Sequence, residues 1–263
     1  MPPDRVVVVT GASSGIGRAI ALGCARLGDT VVLGARSERE LDKLTLEVRA
    51  AGGRAIPCAG DVTREPDRQR LIDTALAGGR IDVLINNAGR GYYAPLRDVK
   101  LDEIEALFAL NVFAPLRLTQ LALDALELSR GVVVMMSSVA GVVSSPKLGA
   151  YAASKFALEA LAVALRAEVA SKGVGVVVVR PGPVETPFRA NAVTATGTEA
   201  GVRPPMAQVQ SAEDIARLTL LAIDRRRPVV ETSNFVRVSS FASRVLPPVF
   251  RAVARRMARG PRI

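Results

Sequence analysis

Tyr151 and Lys155 stand four residues apart in the segment YAASK, so on a helix they share one face. A free phenol ionises near pH ~10, too high for proton exchange at neutrality, and a neighbouring ammonium stabilises the phenolate. Shifting the phenol by ~3 units takes roughly 4 kcal/mol of differential stabilisation. Upstream lie Ser138, at the end of an apolar run, and Asn111, inside a helical pattern. The chain has no histidine, which eliminates Ser-His-Asp and Cys-His nucleophiles and leaves proton transfer to Tyr, Lys, Asp, Glu or Cys. Taken singly, each residue has an ordinary structural use. A Tyr-Lys pair decorates many amphipathic helices, a serine caps a strand end, and an asparagine satisfies stray backbone groups.

A second chemistry is written at the other end of the chain. TGASSGIG, Thr10 to Gly17, follows an apolar run and opens a helical pattern. Glycines at 11, 15 and 17 let backbone N–H groups and the helix N-terminus approach a pyrophosphate that side chains would block. Where the second strand ends, LGARSERE offers Arg36 and no carboxylate before Glu38. An acid there would bind the ribose hydroxyls of NAD, whereas a guanidinium, helped by Ser13 or Ser14, matches a ribose 2′-phosphate. The expected cofactor is therefore NADP(H) in preference to NAD(H). The alternative is a solvated Arg36 opening a surface helix.

These residues need a frame. Apolar runs at Arg5 to Thr10, Thr30 to Leu33, Ala55 to Ala59, Val83 to Ile85, Gly131 to Ser137 and Val174 to Arg180 read as strands buried on both faces. Helical patterns at Gly15 to Leu27, Glu38 to Ala51, Glu65 to Ala77, Asp102 to Leu128, Tyr151 to Ser171 and Ala212 to Arg226 separate them, with Ser37, Thr63 and Ser211 as N-caps. Such alternation predicts an α/β fold, a doubly wound parallel sheet with right-handed crossovers. Residues 1–228 read as the catalytic domain, containing a long connection at 183–209 suited to a substrate loop. Residues 229–263 read as a basic amphipathic extension packed on it.

Composition narrows the class further. Two cysteines, Cys24 and Cys58, make no disulfide framework, and without histidine the common zinc sites are not expected. The N-terminal apolar run is too short for a signal or a span, so a cytoplasmic location is expected, with membrane-peripheral contact as an alternative. The net charge of +10 is concentrated. Residues 224–263 hold ten arginines against Asp224 and Glu231, leaving +2 for the first 223 residues. Such a distribution is a property of the tail and says little about the ligand of the main domain.

Taken together and in order, TGASSGIG, Asp61-Val62, NNAG at 86–89, Asn111, Ser138, Tyr151/Lys155 and PGPVET at 181–186 resemble the short-chain dehydrogenase/reductase family, its single-domain branch. The resemblance runs from about Val6 to Ile223. It implies a Rossmann-type sheet of about seven strands and a catalytic tetrad of Asn111, Ser138, Tyr151 and Lys155. Ser138 would bind the substrate oxygen, Tyr151 would act as general acid/base, and Lys155 would hold the nicotinamide ribose and lower the Tyr151 pKa. Asn111 would hold a water linking Lys155 to solvent. Cofactor contacts are implied at Gly11, Ser13, Ser14, Gly15, Ile16, Gly17, Arg36, Asp61, Val62, Asn87, Ala88, Gly89, Pro181, Gly182, Val184 and Thr186. The activity implied is interconversion of a carbonyl and an alcohol. A non-catalytic dinucleotide-sensing or membrane-associated protein of the same fold is the alternative, and an epimerase or dehydratase holding NAD is a third reading.

The chain departs from that family at its end, where many members carry a strand and an Asp-Gly-Gly tail used in tetramers. Here Phe235, Val238, Phe241 and Val245 recur at helical spacing, and beyond Pro247-Pro248 a second helix would set Phe250, Val253 and Met257 opposite Arg251, Arg255 and Arg259. Both stretches suit a cap on the domain or a partner subunit, or interfacial helices resting on anionic lipid. Nucleic acid is not expected, because the tail lacks an aromatic stacking platform. A homo-oligomer, dimer or tetramer, is expected. Tyr92, Tyr93, Val142, Val143, Leu148 and Phe188 flank the tetrad and favour a small hydrophobic substrate, with Ser138, Val142, Tyr151 and Phe188 lining its site.

Overall fold

The computed structural model describes residues 4–194 and 209–245. In chain order the elements are β1 (Val6–Thr10), α1 (Gly15–Ala25), β2 (Thr30–Ala35), α2 (Glu38–Ala50), β3 (Arg54–Ala59), α3 (Glu65–Leu76) and β4 (Val83–Asn86). There follow β5 (Tyr92–Tyr93), α4 (Leu101–Phe108), a π turn (Ala109–Phe113), α5 (Ala114–Ser129), β6 (Val132–Met136), α6 (Gly149–Glu168) and β7 (Gly175–Arg180). Then come β8 (Val193–Thr194), α7 (Ala212–Asp224), β9 (Val229–Glu231) and α8 (Asn234–Val245). Seven strands form one parallel sheet in the order β3-β2-β1-β4-β6-β7-β9. This is the doubly wound Rossmann-type arrangement that alternation of strands and helices predicts.

The period of two in each strand explains the two layers. In β1, Val7 and Val9 enter one core and Val6 and Val8 the other. The first core is closed by α1, α2 and α7 through residues such as Ile20, Leu44 and Ile215, the second by α3, α5 and α6 through Ile72, Leu118 and Leu158. Both faces being covered, the inner strands stay almost wholly apolar until their carboxyl ends, while the edge strand β3 opens on the exposed Arg54. The stretch Leu101–Ser129 is long and apolar enough to span a membrane by composition, but Leu107, Leu118, Ala122 and Leu126 are spent on the cores.

The structure corrects several local expectations. Ser37 and Ser211 cap α2 and α7, accepting from the N–H groups of Glu40 and Asp214. Thr63 does not cap α3, because its N–H and hydroxyl both donate to Asp61 Oδ1 at 2.9 and 2.8 Å and the helix starts after Arg64. The single helix expected over Asp102 to Leu128 is interrupted by the π turn that carries Asn111, a wide turn that re-aims one side chain. Val229–Glu231, too short to stand out as a strand, pairs with Val178–Arg180, so the sheet continues past residue 228. Helix α8 forms where the spacing places it. It packs through Val236 and Ser240 and leaves Val238, Phe241 and Val245 exposed, because small residues let that side approach closely. The second tail helix lies outside the described residues, as does 195–208 of the long connection.

Candidate active site

The carboxyl ends of β1, β2, β4, β6 and β7 point to one edge, and the expected residues collect there. Gly11 and Gly15 adopt φ of +64° and +52°, the left-handed region open to glycine. A Cβ on Gly17 would run into the Gly11 carbonyl oxygen and stand 2.5 Å from Asn87 Nδ2. Hence Gly17 serves the closeness of helix to strand. The exposed Ser14 is the N-cap of α1 but makes no side-chain cap, and the first turn holds no acid. The N–H groups at the start of α1 thus receive no side-chain cap from Ser14. Ser13 and Ile16 are half-buried on the same turn.

Neighbouring loops close around it. Ala12 N–H donates to the Gly34 carbonyl at 3.1 Å, which brings the end of β2 and Arg36 beside the turn. Arg36 is exposed and forms no ion pair with the described residues, whereas Arg18 is held by Glu47. Asn87 Nδ2 donates to the Thr10 carbonyl at 2.9 Å, while the N–H groups of Asn87 and Ala88 both donate to Thr10 Oγ1 at 3.0 Å. Asn86, beside them, is buried in the core against Thr119. Thr186 sits on Gly15, its methyl 3.1 Å from where a Cβ would be, so the loop after β7 lies against the turn. Val184 bridges to Gln210, Pro181 O accepts from Val139 N–H at 2.9 Å, and Gly182 lies under Val236. Val62 is buried in the second core, and Asp61 is tied to Thr63, placing this pair just beyond β3.

The tetrad residues meet at the centre of the edge. A Cβ on Gly89 would stand 3.2 Å from Asn111 Oδ1 and 3.6 Å from Lys155 Nζ. Asn111 is fully engaged: Oδ1 accepts from Arg90 N–H at 3.0 Å, and Nδ2 donates to the Arg90 carbonyl at 3.0 Å and to Ser154 Oγ at 3.1 Å. Its side chain therefore ties α4–α5 to the loop after β4 and to α6. Ser154 in turn donates to the Tyr151 carbonyl at 2.7 Å. Nothing in composition singles out Ser154, although it lies inside YAASK.

Tyr151 is buried, with Lys155 Nζ 5.9 Å from its ring centroid. Lys155 Nζ donates to the Met136 carbonyl at 2.8 Å. Burial raises the Tyr151 phenol well above its ordinary value, hydrogen bonding with Ser138 works against that, and the Tyr93 phenol adds to it. Burial also pushes the Lys155 ammonium down to about 8, opposed by Glu159. Desolvation thus disfavours both charged forms in the chain alone. Ser138 Oγ accepts from Ala140 N–H at 3.1 Å, which fixes its hydroxyl at the end of β6.

Phe188 packs on Tyr151 with ring centroids 5.9 Å apart. Leu148 joins that cluster, and Val142 is half-buried under α8, its carbonyl accepting from Ser243 Oγ at 3.4 Å. Tyr93 lies beside Phe188 over Gly91. Tyr92 does not flank the site. Strand alternation turns it into a separate core with Ala94, Leu107 and Ala150.

With this geometry in view, comparison with known proteins is specific. The family model for short chain dehydrogenases matches residues 5–197. Dehydrogenase/reductase SDR family member 7B of Rattus norvegicus is 35% identical over 266 residues, covering 96% of this chain and 81% of that protein. A short-chain dehydrogenase from Sphingobium yanoikuyae, solved in complex with NADPH, superposes with a TM-score of 0.77 at 29% identity, over 86% of this chain and 87% of that one. A short-chain dehydrogenase/reductase from Burkholderia phymatum, solved in complex with NAD, gives 0.80 at 29% identity, over 90% and 92%. The sheet order, the residues gathered at its carboxyl edge and these matches along most of the chain agree: it belongs to the short-chain dehydrogenase/reductase family.

Proposed function

We propose that the chain is an NADP(H)-dependent oxidoreductase interconverting a carbonyl and an alcohol on a small hydrophobic substrate, with Tyr151 as general acid/base. The observation that carries the reading is the meeting of Ser138, Tyr151 and Lys155 beside the loop of Gly89 and Asn111. The residues present fit a dinucleotide. An uncapped helix start behind two left-handed glycines suits a pyrophosphate. Gly11 to Gly17, Asp61, Val62, Asn87 to Gly89 and Pro181 to Thr186 would hold it, and Arg36 with Ser14 would take a 2′-phosphate. The NADPH in the Sphingobium structure and the NAD in the Burkholderia structure both speak for a nicotinamide dinucleotide, and Arg36 for the phosphorylated form.

When bound, that cofactor supplies or accepts the hydride. The chain's own residues do the rest. Ser138 orients the substrate oxygen, Tyr151 gives it a proton in reduction or takes one in oxidation, and Lys155 holds a ribose and places positive charge near the phenol. Asn111 keeps α6 and the Gly89 loop in register. Phe188, Tyr93, Val142 and Leu148 form an apolar wall suited to a hydrophobic substrate. The exposed Val238, Phe241 and Val245 of α8, followed by the arginine-rich tail, suit peripheral contact with anionic membrane or a partner subunit.

The test is to incubate the protein with NADPH or NADH and a panel of hydrophobic ketones, aldehydes and lipid extracts while following nicotinamide absorbance. Turnover with NADPH that is lost in Tyr151→Phe supports the reading. Cofactor binding with no turnover across the panel supports the dinucleotide-sensing alternative.

A further inference from the structure

Beyond the tetrad, the same edge contains a buried set of charges that the proposed chemistry does not use. Glu159 lies one helical turn after Lys155 on α6 and is buried. It accepts two bonds from Arg180, at 2.9 Å from Nε and 2.8 Å from Nη2, a forked pair with both partners out of water. Arg180 reaches a second acid, Nη1 lying 3.3 Å from Glu231 Oε1. The four residues balance: two cations, two anions.

Their places in the fold give the set a direction. Arg180 ends β7 and is followed directly by Pro181 and Gly182, the start of the loop that lies on Gly15. Glu231 ends β9 and is paired in register with Arg180. Thr232 N–H donates to the Arg180 carbonyl at 3.4 Å, and Gln210 Nε2 donates to the Thr232 carbonyl at 2.7 Å, binding the same loop from its far side. A single pair therefore spans the helix that carries Tyr151 and Lys155 and the strand that launches the loop against the glycine-rich turn.

We propose that Glu159 and Arg180 are positioning residues for the family chemistry: their forked pair fixes α6, and with it Tyr151 and Lys155, relative to the Pro181–Thr186 loop. The proposal rests on the oxidoreductase reading of this site. The groups that act on Lys155 and Glu159 are few. Tyr151 shares α6 with Lys155, and Tyr93 couples to Tyr151 from β5. Arg180 comes from β7, Glu231 reaches Glu159 only through Arg180, and Arg166 couples to Glu159 along α6. Glu159 is the carboxylate that favours the charged form of Lys155 against burial.

The experiment uses Glu159→Gln and the double variant Glu159→Gln/Arg180→Met. The double variant removes both members of the buried pair, leaving only the more exposed Glu231 without its Arg180 partner, and keeps folding testable where the single one fails. Lys155 is one of five lysines, with Lys43, Lys100, Lys147 and Lys172, so its titration can be followed by NMR on Lys-labelled protein, assigned with Lys155→Met. In folded Glu159→Gln, which loses the carboxylate and keeps Arg180, the Lys155 midpoint is expected to fall by about half a unit or more, and in the double variant, which loses opposite charges together, by less. NADPH affinity is expected to fall about threefold or more in the folded double variant, because the helix and the loop lose their tie. A folded double variant whose NADPH affinity matches wild type overturns the proposal. If wild type turns over no substrate, the oxidoreductase reading fails instead, and the NADPH affinity of the folded double variant still decides this one.

Discussion

Gly17→Ala is the substitution on which the glycine-rich turn can be judged most sharply, because two opposing effects have separable sizes. In an ordinary helix interior alanine is better than glycine by ~1 kcal/mol. At Gly17 the new methyl would fall on the Gly11 carbonyl and within 2.5 Å of Asn87 Nδ2, neither of which is the free end of a flexible side chain. Forcing that contact open costs roughly 1–3 kcal/mol as overpacking, and loss of the Asn87 bond to the Thr10 carbonyl costs about 1 more. Strain therefore wins, by roughly 1–3 kcal/mol net. For a chain of 263 residues, that corresponds to a fall in Tm of about 3–10 °C. Gly23→Ala in the same helix is the control. Its methyl would meet only the end of the Leu220 side chain at 2.6 Å, which can turn away, so its Tm should stay within about 3 °C of wild type. Both are read by calorimetry, with NADPH binding followed by fluorescence. Equal Tm and equal NADPH affinity for Gly17→Ala and wild type would refute the packing argument.

Four further outcomes are expected. Tyr151→Phe removes one hydroxyl from a buried ring and should lower kcat by about 10²-fold or more with NADPH affinity within threefold of wild type, measured by steady-state kinetics and titration. Arg36→Asp should shift the NADPH/NADH preference toward NADH by about tenfold or more, and an unchanged ratio would remove Arg36 from the phosphate site. Lys155→Met should lose activity yet melt above wild type at pH 6.5. The folded Lys155 pKa, about 8, lies below its unfolded value, so wild type carries the burial penalty below pH 8 and sheds it as pH rises toward 10. The advantage of the variant should therefore shrink by pH 9. Truncation after Val245 spares β9 and α8 and should reduce binding to anionic liposomes or alter the oligomer in light scattering; no change in either removes the tail from both roles.

What could be read in advance follows from how each feature encodes itself. The inner strands β1, β2, β4, β6 and β7 are rich in Val, Ile and Leu because both faces of a parallel sheet are covered, and that signal survives without any knowledge of partners, whereas the edge strand β3 reads RAIPCA and is only partly buried. Val229–Glu231 has only three residues, one of them charged, and owes its strand state to the free edge of β7. The π turn at Asn111 leaves the helical periodicity of the flanking residues intact, so no break is visible at Ala109–Phe113. For α8 the apolar spacing locates the helix but not its buried side: Val236 and small serines pack inward while Phe241 points out. That Asn111, Ser138, Tyr151 and Lys155 gather at one edge was legible because their spacing is carried by strand ends and one helix face. The contacts of Ser154, Glu159 and Arg180 were not, since they depend on which elements lie beside α6.

The resting charge state of the site bears on the direction of proton transfer. Burial pushes the Tyr151 phenol up and the Lys155 ammonium down, so each is drawn toward its neutral form. Hydrogen bonding with Ser138 opposes this at the phenol and Glu159 opposes it at the ammonium. Below about pH 8 the pair is thus phenol and ammonium, the protonation state from which a proton is given to a carbonyl oxygen. Abstraction from an alcohol starts from the phenolate, which the chain alone disfavours and which needs additional positive charge beside Tyr151. Reduction should therefore keep its rate toward the acid side of neutrality, while oxidation should gain as pH rises until loss of the Lys155 proton limits it.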